Sequence, residues 1–269
     1  MFFVKPVLRS ARDAVRVYVN HYNDIEYLNW YFKYSKKLKQ FKDIHKGEDC
    51  FIIGNGPSLN KMDLTPLRNY HTFGLNKIYL LFDKVDLNLS YHVAVNPLVI
   101  EQSISQFSTL QCPSFLSYIP SYKLFARSQS TYLIYTNGGH GFQYNIADSI
   151  FEGGTVTYVA IQIAFFMGFN RVFLIGVDHN FKYKGNPNEL QLLEGEDSNH
   201  FSPNYFCDQK WNLPDLEGSE LSYQFAEFVY TRSNRRIFDA TKNGKLNIFQ
   251  KIDYEQALNL ASKKIIFER

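Results

Sequence analysis

Apolar residues recur along this chain in two different rhythms. Near the start, Val7, Leu8, Ala11, Ala14, Val15 and Tyr18 fall at spacings of three and four, the period of an amphipathic helix. A second helical run, residues 25–41, sets Leu28, Tyr31, Phe32 and Tyr34 against Lys33, Lys36, Lys37 and Lys39. From Cys50 the rhythm changes to short apolar bursts that end in turns. Cys50, Phe51, Ile52 and Ile53 run into Gly54-Asn55-Gly56-Pro57-Ser58, which reads as a buried strand entering a tight turn. Residues 64–67 predict a short helix. Residues 72–75 predict a second strand, ending at Asn76. Residues 91–95 predict a third, ending at Asn96-Pro97, with a helix following through Ile104. Residues 132–135 form a further strand, closed by the turn Asn137-Gly138-Gly139.

The clearest unit follows. Gly153-Gly154-Thr155 opens a run over residues 156–167 that is apolar nearly all round, the pattern of a helix buried on most sides. Gly168 suits the position just past its end. Residues 171–178 then read as a strong buried strand ending at Asp178. Residues 182–215 are polar and loop-like, long enough to be a functional lid. A helix over 217–234, a strand over 236–238, a turn at Asn243-Gly244 and a short helix over 253–260 complete the reading. No internal repeat is visible. The alternation predicts an α/β fold with a mostly parallel sheet. Asn55, Asn76, Asn96 and Asp178 all end strands, and ligands of open α/β sheets bind outside those ends. One cleft should collect all four.

Composition narrows the class. The 269 residues are 45% apolar and 20% charged, enough for a full core in one large domain or two small ones. Residues 1–47 hold ten Lys/Arg and four acids, a charge of +6, so the remainder of this +3 chain carries −3. We therefore divide the chain into a basic amphipathic extension, 1–47, and a main domain, 48–269, with its lid at about 182–215. The extension either packs on the main domain with a solvated basic face, which is the commoner outcome, or lies on an anionic membrane surface. No apolar stretch approaches the roughly 20 residues that span a bilayer, and the N-terminus breaks too early for a signal peptide. Cys50, Cys112 and Cys207 lie far apart, which fits a reducing compartment and excludes a cysteine zinc site. The expected location is cytoplasmic, with peripheral contact on the inner membrane face through residues 1–47. A net charge this small gives no reason to expect nucleic acid. A homo-oligomer is compatible with the sequence. Phe and Tyr are abundant (24 and 19) and Trp scarce (2), which codon bias or a tyrosine-lined cleft would each produce.

The turn after the first strand is neither G-x-x-x-x-G-K-[ST] nor G-x-G-x-x-G, because Leu59 stands where the last glycine would be. It still allows a ligand close to the backbone, as an ordinary strand-to-helix turn also would. Gly154 and Thr155 precede a helix whose free N–H groups favour a phosphate oxygen, while Thr155 also suits an N-cap. His179 follows Asp178, and His200 lies in Asp197-Ser198-Asn199-His200-Phe201-Ser202-Pro203-Asn204-Tyr205. A histidine there can take a hydroxyl proton during group transfer, although a loop histidine is more often structural. No H-x-x-x-H or H-E-x-x-H spacing occurs, and no metal is expected.

These pieces together resemble known families. Residues 51–59, then Gly74-Leu75-Asn76-Lys77, Val95-Asn96-Pro97, Gly154-Thr155 and residues 168–178 match in order and spacing over about residues 50–205. They resemble the bacterial sialyltransferases of glycosyltransferase family forty-two. They equally resemble the motility-associated flagellin glycosyltransferases and the archaeal 6-hydroxymethylpterin diphosphokinase-like family. The resemblance implies a Rossmann-like, GT-A-like domain that binds a sugar nucleotide, CMP-linked in the sialyltransferases, and works without a catalytic metal or other cofactor. It implies that Gly54, Asn55, Gly56, Ser58, Asn76 and Asn96 face the nucleotide or its phosphate. Gly154 and Thr155 would sit against the nucleotide, Asp178 would close the cleft, and Tyr183 would hold the leaving phosphate. A lid histidine is the family's general base. Here His200 precedes the usual place, which falls near Asn204, so either His200 has taken the role or the donor and chemistry differ. Phe201, Asn204 and Tyr205 would complete the lid and the acceptor side.

The reading is a glycosyltransferase that moves a sugar, such as sialic acid or a related nonulosonate, onto a hydroxyl of a surface glycan, lipooligosaccharide or glycoprotein. A lipid-linked acceptor would suit the basic extension. The alternative is a Mg²⁺-dependent diphosphokinase-like phosphoryl transferase acting on a small heterocycle, with Asp178 and Glu196 or Asp197 as metal ligands. A non-catalytic nucleotide-binding scaffold is a third.

Overall fold

The computed structural model describes residues 15, 18, 19, 21–125 and 128–264. Its centre is an eight-stranded, wholly parallel sheet. The strands are β1 (Asp49–Ile53), β2 (His71–Leu75), β3 (Tyr91–Ala94), β4 (Ser114–Ser117) and β5 (Thr131–Ile134). After two short strands, β6 (Thr136–Asn137) and β7 (Ile150–Phe151), which pair with each other, comes β8 (Arg171–Ile175). The strands β9 (Leu190–Leu193) and β10 (Gln209–Asn212) form a separate antiparallel pair, and β11 (Arg236–Asp239) and β12 (Gln250–Lys251) finish the chain's strands. The spatial order is β12-β11-β8-β1-β2-β3-β4-β5. The chain thus winds outward from β1 in one direction and then returns to its other side at β8. Between β1 and β8 lies the topological switch point, where a cleft opens at the carboxyl ends.

The aromatic excess is mostly core. Phe51, Phe173 and Phe238 occupy paired positions on β1, β8 and β11, with stacked rings 5.2 and 5.3 Å apart. Phe73 pairs with Tyr91, and Phe115 with Tyr132, on β2 to β5. Such cross-strand ring pairs are a main stabilising unit of a sheet. The helix Val156–Met167 packs against β1, β2 and β3 and against the helix Leu216–Arg232. Its ends are those the sequence predicts. The Thr155 side chain accepts from the N–H of Thr157, and Gly168 takes the left-handed conformation, φ +94°, that stops a helix.

Residues 25–41 pack into the same core as the sheet. Trp30 and Leu38 are fully buried, and the Trp30 indole donates to the Leu133 carbonyl at 2.8 Å. Lys33, Lys36, Lys37 and Lys39 are exposed. This is the packed arrangement, not a free amphipathic arm. Phe32, expected on the apolar face, is exposed instead. A π-helical turn at Tyr31–Ser35 interrupts the α-helix Ile25–Trp30 and shifts the phase. The helix expected over residues 7–18 lies outside the described residues except for Val15 and Tyr18. No helix among the described residues is long and apolar enough to cross a membrane.

Three expectations change. The helix predicted through Ile104 is two, Pro97–Gln102 and Ile104–Thr109, because Ser103 leaves helical geometry. Strand β4 was not expected, since its Ser-Phe-Leu-Ser pattern shows no strong run. Segment 182–215 is not one open loop. It carries the β9–β10 pair, and its middle dips into the core, with Phe201 and Tyr205 only 1% exposed.

Candidate functional site

Two adjoining cavities occupy the carboxyl end of the sheet. The smaller, about 140 Å³, lies at the switch point. The larger, about 370 Å³, extends over β3 toward Asn96 and Trp211. Asn76, Thr155, Phe181 and His200 face both.

The floor of the smaller cavity is made by two turns lying on each other. After β1 the N–H groups of Gly54 and Gly56 donate to the carbonyls of Ile175 and Gly176, both at 2.8 Å. A Cβ on Gly54 would overlap the Gly176 carbonyl, and one on Gly56 would overlap the Asp178 carboxylate. These glycines are therefore required by the protein's own packing. Asp178 is the latch. It accepts from the Ser58 N–H at 3.0 Å and from the Ser58 hydroxyl at 2.6 Å. Burial raises its pKa, while the two Ser58 bonds oppose that shift. Asn55 and Asn76 also line the cavity, and the Oδ1 atom of each is buried with no hydrogen-bond partner among the described residues. Buried polar atoms are nearly always satisfied, so these two acceptors are suited to donors from a ligand.

Two helix starts converge on the same space. Gly154 and Thr155 bring in the helix Val156–Met167. Asp215, whose side chain accepts from the Gly218 N–H, brings in the helix Leu216–Arg232. Tyr223 stands between them, its hydroxyl near the Thr155 hydroxyl at 3.5 Å and its pKa pushed up to about 12 by burial. Helix starts carry unpaired N–H groups and partial positive charge, which favour an anion.

His200 stands where the two cavities meet. Its Nδ1 pairs with Asp197 at 2.8 Å, and Asp197 is itself buried and accepts from the Asn199 N–H at 2.8 Å. With Nδ1–H donating to the carboxylate, Nε2 keeps its lone pair, the form a general base needs. The ring lies flat on Tyr205, 4.0 Å between centroids and 4° between planes. Tyr205 in turn is held from below by Lys77. That buried ammonium donates to the Tyr205 carbonyl at 2.8 Å and to Gln209 at 2.7 Å, and burial lowers its pKa to about 8. The Phe201 N–H donates to the Asn55 carbonyl at 2.9 Å, tying this segment to the β1 turn.

Of the residues singled out from sequence, Gly54, Asn55, Gly56, Asn76, Gly154, Thr155, Asp178 and His200 line the smaller cavity. Asn96 lines only the larger one, where it caps the helix Pro97–Gln102. Ser58 sits behind the wall, bonded to Asp178. Tyr183, Phe201, Asn204 and Tyr205 line neither cavity. The Tyr183 hydroxyl donates to the Pro214 carbonyl at 3.2 Å, Asn204 is exposed, Tyr205 packs beneath His200, and Phe201 packs on Tyr205. Sequence reasoning missed Asp197 as the partner of His200, although a carboxylate three residues before a histidine was visible. It placed the helix that begins at Leu216 to within a residue, but did not bring its start to the cleft.

An open parallel α/β sheet with a polar cleft at its switch point defines a Rossmann-like fold. The chain matches, over residues 24–184, the family described as 6-hydroxymethylpterin diphosphokinase MptE-like, and it belongs to that family. The match spans β1 to β8 and the Asp178 latch, and ends before Asp197 and His200. No curated protein and no solved structure matches the chain.

Proposed function

We propose that the protein is a transferase that moves a glycosyl group from a nucleotide-activated donor to an acceptor hydroxyl, with His200 as the base. The observation that carries this reading is the Asp197–His200 pair at the junction of two cavities. A donor in the switch-point cavity and an acceptor in the larger one would meet at Nε2. The acceptor oxygen would attack the anomeric carbon as its bond to the donor phosphate breaks, and the hydroxyl proton would pass to His200 Nε2. The helix starts at Thr155 and Asp215 would stabilise the charge that grows on the leaving phosphate. Asn55 and Asn76 would accept from ribose hydroxyls or a base amino group.

A second reading draws on the family's description: a hydroxyl attacks the β-phosphorus of ATP and AMP leaves. It uses the same base and cleft but needs carboxylates for Mg²⁺. Three carboxylates at the cleft are held by protein partners, Asp178 by Ser58, Asp197 by His200 and Asn199, and Asp215 by Gly218, which leaves Glu152 on the larger cavity as a single candidate. That donor set favours the first reading. Calorimetric titration with CMP, CDP, UDP and ATP, each with and without Mg²⁺, tests it. Metal-independent binding of a pyrimidine nucleotide supports glycosyl transfer. Binding confined to Mg·ATP overturns it in favour of phosphoryl transfer.

A further inference from the structure

At the other end of the sheet, the strands begin beside a second group of histidines. His45 and Glu48 lie just before β1, and His71 opens β2. One donor atom from each lies within 4.8 Å of the others. His45 Nδ1 is 2.5 Å from Glu48 Oε2, and His71 Nε2 is 3.4 Å from the same oxygen. The five residues of β1 separate this group from the cleft, about 16 Å at strand rise.

We propose that His45, Glu48 and His71 bind a divalent transition-metal ion. Two imidazoles and a carboxylate suit zinc, cobalt, nickel or copper, whereas magnesium and calcium prefer oxygen alone. Ligands placed 2.0–2.2 Å from one ion lie about 3.3 Å from each other in a tetrahedral site. The His71–Glu48 separation already fits. The His45–Glu48 pair must open by under about 1 Å, and Glu48 is the most exposed of the three side chains, at 36%.

The surroundings hold the imidazoles in place. His45 Nε2 bonds the Tyr91 hydroxyl at 2.6 Å, the outer partner that a metal-ligating histidine usually has. Its ring stacks on Phe169, 4.5 Å between centroids and 17° between planes. The backbone is fixed as well. The His45 N–H donates to the Met167 carbonyl at 2.8 Å, and the Asn170 N–H donates to the Glu48 carbonyl at 2.6 Å. Three protein ligands would leave a fourth position for water. An ion here would clamp the 42–48 segment to β2.

The test uses the full chain after chelator treatment, titrated with Zn²⁺ by calorimetry and with Co²⁺ by visible absorption. Wild-type protein should bind a single equivalent of Zn²⁺, with a matching Co²⁺ d–d band and a raised melting temperature. Glu48→Gln and His71→Gln should each weaken binding roughly tenfold or more, by analogy with the losses that even outer-shell changes cause. Glu48→Gln keeps the side chain's size at a partly exposed position, so its fold, checked by circular dichroism, should survive. His200→Ala should leave Zn²⁺ affinity unchanged. Failure of the wild type to bind, unchanged affinity in both Gln variants, or loss of binding in His200→Ala would each overturn the proposal. None of these outcomes bears on the nucleotide titration above.

Discussion

Both ends of one parallel sheet place a histidine beside a carboxylate, yet they treat the ring differently. At the carboxyl end, His200 gives one nitrogen to Asp197, and the ring lines both cavities. At the amino end, both nitrogens of His45 are engaged, by Glu48 and by the Tyr91 hydroxyl. His92, inside the sheet, is also held at both nitrogens, by Ser114 and by the Asn76 carbonyl. The difference teaches that residue type and burial alone do not mark a candidate base. A ring at a cavity with one nitrogen not held by the protein does.

The largest expected effect would break this comparison at once. Replacing His200 with Ala should cut turnover by about 10²–10⁴ while nucleotide binding stays near wild type. Asp197→Asn should approach that loss, because the ring tautomer is no longer fixed. Steady-state assays on the two variants decide this, and normal turnover in His200→Ala would end the base assignment. Next comes the floor of the cleft. Gly56→Ala drives a methyl into the Asp178 carboxylate, so stability should fall by about 1–3 kcal/mol and nucleotide affinity with it. Urea unfolding reads the first and calorimetry the second.

A smaller effect concerns the held histidines. Burial brings the His92 pKa down to about 4, below the ordinary 6.5. As pH falls through that interval the unfolded chain takes up a proton that the folded chain refuses, so stability declines. It is unaffected by this group above pH 6.5. Urea midpoints at pH 7 and pH 5 should therefore differ less in His92→Asn than in wild type; equal slopes would refute the assignment. The smallest effect belongs to the basic face. Lys36→Glu with Lys37→Glu should change stability by no more than about 0.5 kcal/mol. If that pair also abolishes binding to anionic vesicles, the basic face has a membrane role beyond solvation.

The fold was legible where local and tertiary demands agree. Thr155 and Gly168 punctuate the helix between them by their own chemistry, and the apolar run of β8 can only be buried. The cleft was legible because strand-end polar residues collect at a switch point whatever the ligand. The rest depended on contacts distant in sequence. Strand β4 gains its identity from β3 and β5, and β9 finds β10 only across fifteen intervening residues. Tyr205 looked like a lid contact, but it is a platform under His200, because Lys77 draws its carbonyl inward. Nothing in residues 197–206 alone reports where Lys77 will be.

The order of the strands also sets the order of assembly. Strand β1 acquires β2 after seventeen intervening residues, but its other neighbour, β8, begins only at Arg171. During synthesis the central strand must wait with one bare edge and Phe51 without its stacking partner Phe173, which arrives with β8. Pairing over such sequence distances is slow and leaves an aggregation-prone edge in the interval. A nascent chain stopped before β8 should therefore lean on chaperones, and one extended through β11 should not.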